Sequence, residues 1–91
     1  MVKRRKPAYL IIDWIRETFE LEVDEDVAIP FDELYREYTE WVRKEYDNYP
    51  QPRSKLERSF TVFGSGSDTR GGIYVRTNLR RKTSRTLKQM I

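Results

Sequence analysis

Arg53, Ser54, Lys55, Arg58, Thr61, Arg70, Arg76, Arg80, Arg81 and Lys82 are the side chains of this sequence best suited to chemistry, and that chemistry is the capture of a polyanion. Guanidinium groups meet phosphates or guanine edges as two-pronged donors, ammonium groups act as point charges, and hydroxyls add further donors. The stretch PRSKLERSFTVFG, residues 52–64, holds the first five. It reads as a short helix with Arg53 and Lys55 at its start, where the partial positive charge of a helix N-terminus makes each cation cost about 0.3–1 kcal/mol. Positions where a sequence breaks a local rule are enriched in functional sites. A phosphate at that helix end would meet backbone N–H groups together with Arg53 and Lys55. Charge-assisted hydrogen bonds of about 1.5–3 kcal/mol each would offset the repulsion. Glu57 is expected to stay out of the way by closing an S-x-x-E capping box with Ser54.

The distribution of charge along the chain points the same way. The net charge of +3 is an average over unlike segments. Residues 1–7 carry a net +4; residues 8–50 hold four basic and thirteen acidic side chains, a net −9; residues 51–91 hold ten basic and two acidic, a net +8. Asymmetry of this size suggests an end that binds polyanions.

The same inventory excludes other chemistry. The chain has no cysteine and no histidine. Disulfides, thiolate zinc sites, imidazole bases and Ser/His/Asp or Cys/His nucleophiles are therefore ruled out. No glycine-rich phosphate loop is present, so ATP hydrolysis is not expected. The acidic run EVDEDVAIP lacks the central glycine and distant glutamate of a calcium loop, so Asp24 and Asp26 are not expected to hold a metal. Neither enzyme activity nor a cofactor is expected. The longest apolar run, AYLII at residues 8–12, is too short for a signal-peptide core or a membrane span. The lack of disulfides fits a reducing intracellular compartment, cytoplasmic or nuclear.

Ninety-one residues make one domain. Apolar spacing predicts helix one over residues 8–21, with Trp14, Ile15 and Phe19 on one stripe, and a short strand at Val27–Ile29. FDELYREYTEWVRKEY, residues 31–46, is the strongest helical signal, its aromatic stripe reading as core. The linker DNYPQP follows, then helix three at 54–63 with Leu56, Phe60 and Phe63 buried and Gly64 as its stop. A turn at Arg70-Gly71-Gly72 leads to a strand Ile73–Leu79, with Tyr74, Arg76 and Asn78 on one face. This order predicts an α+β winged helix-turn-helix: three helices, a small antiparallel sheet and a projecting wing, over residues 8–79. Residues 1–7 and 80–91 read as basic arms that grip phosphates without reading sequence. KRRK, residues 3–6, also suits nuclear localisation or solubility.

LYREYTEW, a turn, and PRSKLERSF together resemble winged-helix domains of the regulatory factor X type. They are more similar still to the related C-terminal domain of poxvirus-type primase–helicases of large DNA viruses, phages and plasmids. The matching residues are Leu34, Tyr35, Tyr38, Trp41, Pro52, Ser54, Lys55, Phe60 and Tyr74. Most are core and cap residues, so the resemblance implies fold more than function. It implies a role in viral or plasmid DNA replication or in transcription regulation, within a larger protein. In regulatory-factor-X domains the wing can read the major groove, which would put Arg70 and Arg76 ahead of Lys55 and Arg58. EYDNYPQP lacks the glycine often found in that loop, and the segment between Phe63 and Ile73 shows no clear first wing strand.

The expected function is therefore non-enzymatic binding of duplex DNA, through its phosphate backbone and major groove, by helix three and a basic wing. Two alternatives stand beside it. One is a protein-interaction module using the acidic surface at 13–47. The other is RNA or single-strand binding, with Tyr49 and Tyr74 as exposed stacking residues.

Overall fold

Apolar residues in FDELYREYTEWVRKEY recur every three or four positions, and this periodicity forms the central helix of the fold. The computed structural model describes residues 11–46 and 49–82. The expected arm at 1–7, the helix start at 8–10, Asp47, Asn48 and the tail from residue 83 lie outside them. Helix α1 spans Ile11–Thr18, α2 Phe31–Tyr46 and α3 Arg53–Phe63. Helix α2 carries Asp32 and Glu33 in its first turn and Arg43 and Lys44 in its last, as its dipole favours. It buries Phe31, Leu34, Tyr38 and Val42, each worth about 1.5–3 kcal/mol in area removed from water. Trp14 of α1 lies 5.4 Å from Phe19, 5.7 Å from Tyr38 and 5.9 Å from Trp41 between ring centroids. Helix α3 adds Leu56 and Phe60, with the Phe60 ring 5.6 Å from that of Phe19. The aromatic stripe is core, as its spacing indicated. Phe63 is only half-buried at the core margin.

Five short strands close this core: β1 Phe19–Leu21, β2 Ala28–Pro30, β3 Gly66–Arg70, β4 Ile73–Thr77 and β5 Leu79–Arg81. All pairings are antiparallel, in one sheet of order β2-β4-β3 and a ribbon of β1 with β5. The ribbon corrects two expectations. Helix α1 stops at Thr18 rather than residue 21, because Phe19–Leu21 pairs with Leu79–Arg81 and sets Glu20 opposite Arg80. The domain edge expected after residue 79 therefore falls inside β5, and Arg80 and Arg81 belong to the folded body. Strand β2 starts one residue later than expected and takes in Pro30, which an edge strand tolerates.

Strand β3 is the one that the serine- and glycine-rich segment concealed. It joins β4 through Gly71 at φ 58° and Gly72 at φ 80°, a two-residue turn needing the left-handed region at both positions. The expected strand 73–79 is broken at Asn78, whose φ is 57°. Asparagine tolerates that region better than most residues. Its amide nitrogen donates to the carbonyls of Glu22 (3.0 Å) and Val23 (3.3 Å), and its own carbonyl accepts from the Glu22 N–H at 2.9 Å. Asn78 thus pins the β1–β2 loop while turning the chain from one sheet into the other. The result is an α+β fold of three helices and small antiparallel sheets, compatible with the expected winged helix.

Asn78→Ala should lower stability by about 1.5–3 kcal/mol, combining left-handed strain with three lost side-chain hydrogen bonds. Asn78→Gly should recover the backbone part alone and fall between the two. Urea denaturation of the three proteins checks the order; equal stability of Ala and wild type would contradict the pinning role.

Candidate nucleic-acid interface

The linker before α3 is held by the hydroxyls of the α2 stripe. Tyr35 Oη donates to the Gln51 carbonyl at 3.1 Å, and the Gln51 N–H donates to Tyr38 Oη at 2.9 Å. Buried tyrosines need such polar partners, and these fix where α3 begins. Pro52 is the N-cap, extended at φ −65° and ψ 160°, with no side-chain cap. Its carbonyl accepts from the N–H groups of Lys55 and Leu56. The expected capping box does not form. Ser54 lies inside the helix, and Glu57 Oε2 accepts from Tyr74 Oη at 2.5 Å. Gly64 ends the helix as expected, at φ 116°, its N–H donating to the carbonyls of Phe60 and Thr61.

The expected site residues divide into three groups. Arg53, Arg70, Arg80, Arg81 and Lys82 are engaged within the fold, which corrects the expectation of one continuous cationic surface. Arg53 pairs with Asp32 at 2.6 Å and lies over the rings of Phe31 (5.0 Å) and Tyr35 (5.2 Å). Its position at the start of α3 therefore ties that helix to α2. Arg70 Nε meets Asp68 at 2.9 Å and its Nη2 donates to the Glu25 carbonyl, which folds the turn back onto the β1–β2 loop. The Arg70 hydrogen bond, then the Thr69 N–H, holds the Asp68 carboxyl below its usual range. This link is complete above the ordinary carboxylate pKa and is lost as pH falls through the lowered value.

Arg80 bridges Glu20 (2.5 Å) and Glu22 (2.7 Å). Arg81 bridges Glu33 and Glu37 of α2. Burial opposes the charge of Arg81, but the bond to Glu37 and the charges of Glu37 and Glu33 outweigh it and raise its pKa. Lys82 Nζ donates to the Arg16 carbonyl at 2.6 Å, a cation at the C-terminal end of α1.

The second group is open. Ser54, Lys55 and Arg58 are exposed on α3, and among the described residues their side chains have no hydrogen-bond or ion-pair partner. Val62, one turn beyond Arg58, is 73% exposed on the same helix.

The third group, Thr61 and Arg76, joins α3 to the hairpin. Arg76 was expected to project from the wing, but it is 2% exposed and cannot reach a base edge. Its Nη1 donates to Tyr74 Oη at 3.1 Å, and its Nη2 donates to Thr61 Oγ1 at 3.0 Å and to the Ser65 carbonyl at 2.8 Å. Its Nε is buried without a partner. The register sets Ser67 opposite Arg76 and Thr69 opposite Tyr74, so these four share one sheet face. That face and α3 bound an open groove of about 430 Å³, lined by Ser54, Glu57, Arg58, Thr61, Ser67, Tyr74 and Arg76.

Sequence reasoning had Ser54, Arg58, Thr61 and Arg76 among its candidates but missed Ser67 and Tyr74 as their neighbours. Alternation put Tyr74 and Arg76 on one face; nothing local showed that α3 covers it. Tyr74 is half-buried, packs 5.6 Å from Phe31 and is bonded to Glu57, so it is not the exposed stacking residue expected. Tyr49 is 85% exposed. In the acidic loop the Asp24 carboxylate accepts from the Asp26 N–H. Among the described residues no group of three acidic side chains could hold a metal, and no helix is long and apolar enough to cross a membrane.

Arg76→Ala should cost about 2–4 kcal/mol, because it strips a partner from Thr61, Ser65 and Tyr74 at a buried site. Arg80→Ala, in a half-exposed ion pair, should cost no more than about 1 kcal/mol. Chemical denaturation of both variants gives the comparison, and equal losses would contradict the structural role of Arg76.

Comparison of the chain with family models, curated proteins and solved structures finds no match.

Proposed function

We propose that this chain is a winged-helix module that binds duplex DNA, with α3 as the docking helix and the β3–β4 hairpin as the wing. The element order and the sheet order β2-β4-β3 support the winged-helix assignment, as does the hairpin's packing beside α3. The resemblance to regulatory-factor-X and primase–helicase domains agrees with it, and the link to DNA replication or transcription control rests on that resemblance alone. The observation that carries the binding reading is the uncommitted face of α3. Ser54, Lys55 and Arg58 offer donors with no described partner, whereas acidic side chains meet Arg53, Arg70, Arg80 and Arg81. A helix N-terminus with an unpaired Lys beside it suits a backbone phosphate.

The helix, rather than the wing, leads in this reading. Arg76 is buried and Arg70 is tied to Asp68 and Glu25, so neither is poised to read the major groove. The acidic-surface alternative weakens for a related reason, since Glu20, Glu22, Asp32, Glu33 and Glu37 already face the chain's own arginines.

Fluorescence polarisation of a mixed-sequence duplex between 50 and 200 mM salt tests the reading. Lys55→Ala with Arg58→Ala should flatten the log–log salt slope by about 2 units, as each lost phosphate contact removes about 0.9. Its thermal midpoint should stay within about two degrees of wild type. Wild-type affinity that ignores salt, or a double variant with an unchanged slope, would contradict α3 as the docking helix.

A further inference from the structure

We propose that the groove between α3 and the β3–β4 hairpin is a seat for one phosphoryl group, that of a nucleic-acid backbone; the choice of backbone rests on the function proposed above. The floor of the groove carries the argument. Arg76 is 2% exposed, and its hydrogen-bond partners are a phenol, an alcohol and a peptide carbonyl, all neutral. A buried guanidinium with no direct carboxylate partner, reached by Glu57 only through Tyr74 Oη, is expensive to keep and sets a positive charge beside the groove. Arg76 Nε remains without any partner.

The rim supplies the direct donors that the floor does not. Arg58 and the hydroxyls of Ser54 and Ser67 line the groove, and among the described residues they have no hydrogen-bond or ion-pair partner. A fork and two hydroxyls lining one groove with a buried cation match the several acceptor oxygens of a phosphoryl group. Arg76 supplies the field, while Arg58, Ser54 and Ser67 supply the contacts. Glu57 is the one carboxylate lining the groove, and Tyr74 Oη occupies its Oε2. Glu57 therefore tempers the affinity of the seat for anions.

This last point gives a test that misfolding cannot imitate. Glu57→Gln keeps an acceptor for Tyr74 and removes the negative charge. Binding is read on the full chain by ³¹P line broadening of inorganic phosphate and by polarisation of a mixed-sequence duplex. Glu57→Gln should tighten both by roughly three- to ten-fold, the effect of one charge a few ångströms away in a partly screened site. Ser67→Asp should weaken both by roughly ten-fold at an unchanged thermal midpoint. Glu40→Gln, an exposed charge change on α2 outside the groove, should leave phosphate binding unaltered.

If duplex binding persists and depends on Lys55 but ignores both groove variants, the seat is overturned and α3 docking stands. If phosphate binding follows the groove variants in a chain that ignores duplex, the seat stands with a free phosphate ester as its ligand, and the proposed function is overturned. If Glu40→Gln tightens phosphate as much as Glu57→Gln, the effect is general charge and the seat is overturned.

Discussion

One buried cation fixes the geometry on which the rest of this site depends. Arg76 reaches from the middle of β4 to Thr61 on α3, to the carbonyl of Ser65 where the chain leaves that helix, and to Tyr74 on its own strand. Tyr74 in turn donates to Glu57, so one hydrogen-bonded chain links two turns of α3 to the hairpin. Taking a guanidinium out of water is unfavourable unless its donors are met. Four of its five N–H groups sit on nitrogens that find oxygen partners, and Nε does not. A helix and the β3–β4 hairpin that could otherwise slide are thereby held at one spacing, with an open groove between them.

The acidic half of the chain has a structural part to play. Glu20 and Glu22 hold Arg80, Glu33 and Glu37 hold Arg81, and Asp32 holds Arg53. Each is a partly exposed ion pair worth at most about 1 kcal/mol, so none stabilises the fold decisively. Their collective effect is to neutralise the basic stretch after β4 and leave one helix face positive. A net charge counted along the chain overstates the cationic area for this reason. The charges that matter to a polyanion are those the fold leaves unmatched.

Much of the fold was legible in the sequence, because periodic burial is a local signal. The bounds of α2 and the stop at Gly64 follow from apolar spacing and a single glycine. Long-range pairings were not legible. FEL reads as the end of a helix until Leu79–Arg81 lies beside it, and GSDTR is too polar to announce a strand whose partner is already formed. The site was half legible. Lys55 and Arg58 followed from the phase of α3, since the residues opposite Leu56 and Phe60 must face water. Arg53 followed the wrong logic: it breaks the dipole rule because Asp32, Phe31 and Tyr35 hold it, and the ion pair to Asp32 spans more than twenty positions. Arg76 was assigned to an exposed face that α3 in fact covers.

The central claim is that the uncommitted face of α3 and the adjoining groove meet the polyanion. Amide chemical-shift mapping during a duplex titration of the full chain tests this most directly. The account predicts perturbations concentrated on residues 53–61, 66–70 and 74–77, with the exposed positions of α2 beyond its first turn unmoved. Perturbations centred on α2 and the β1–β2 loop, with α3 silent, would contradict it.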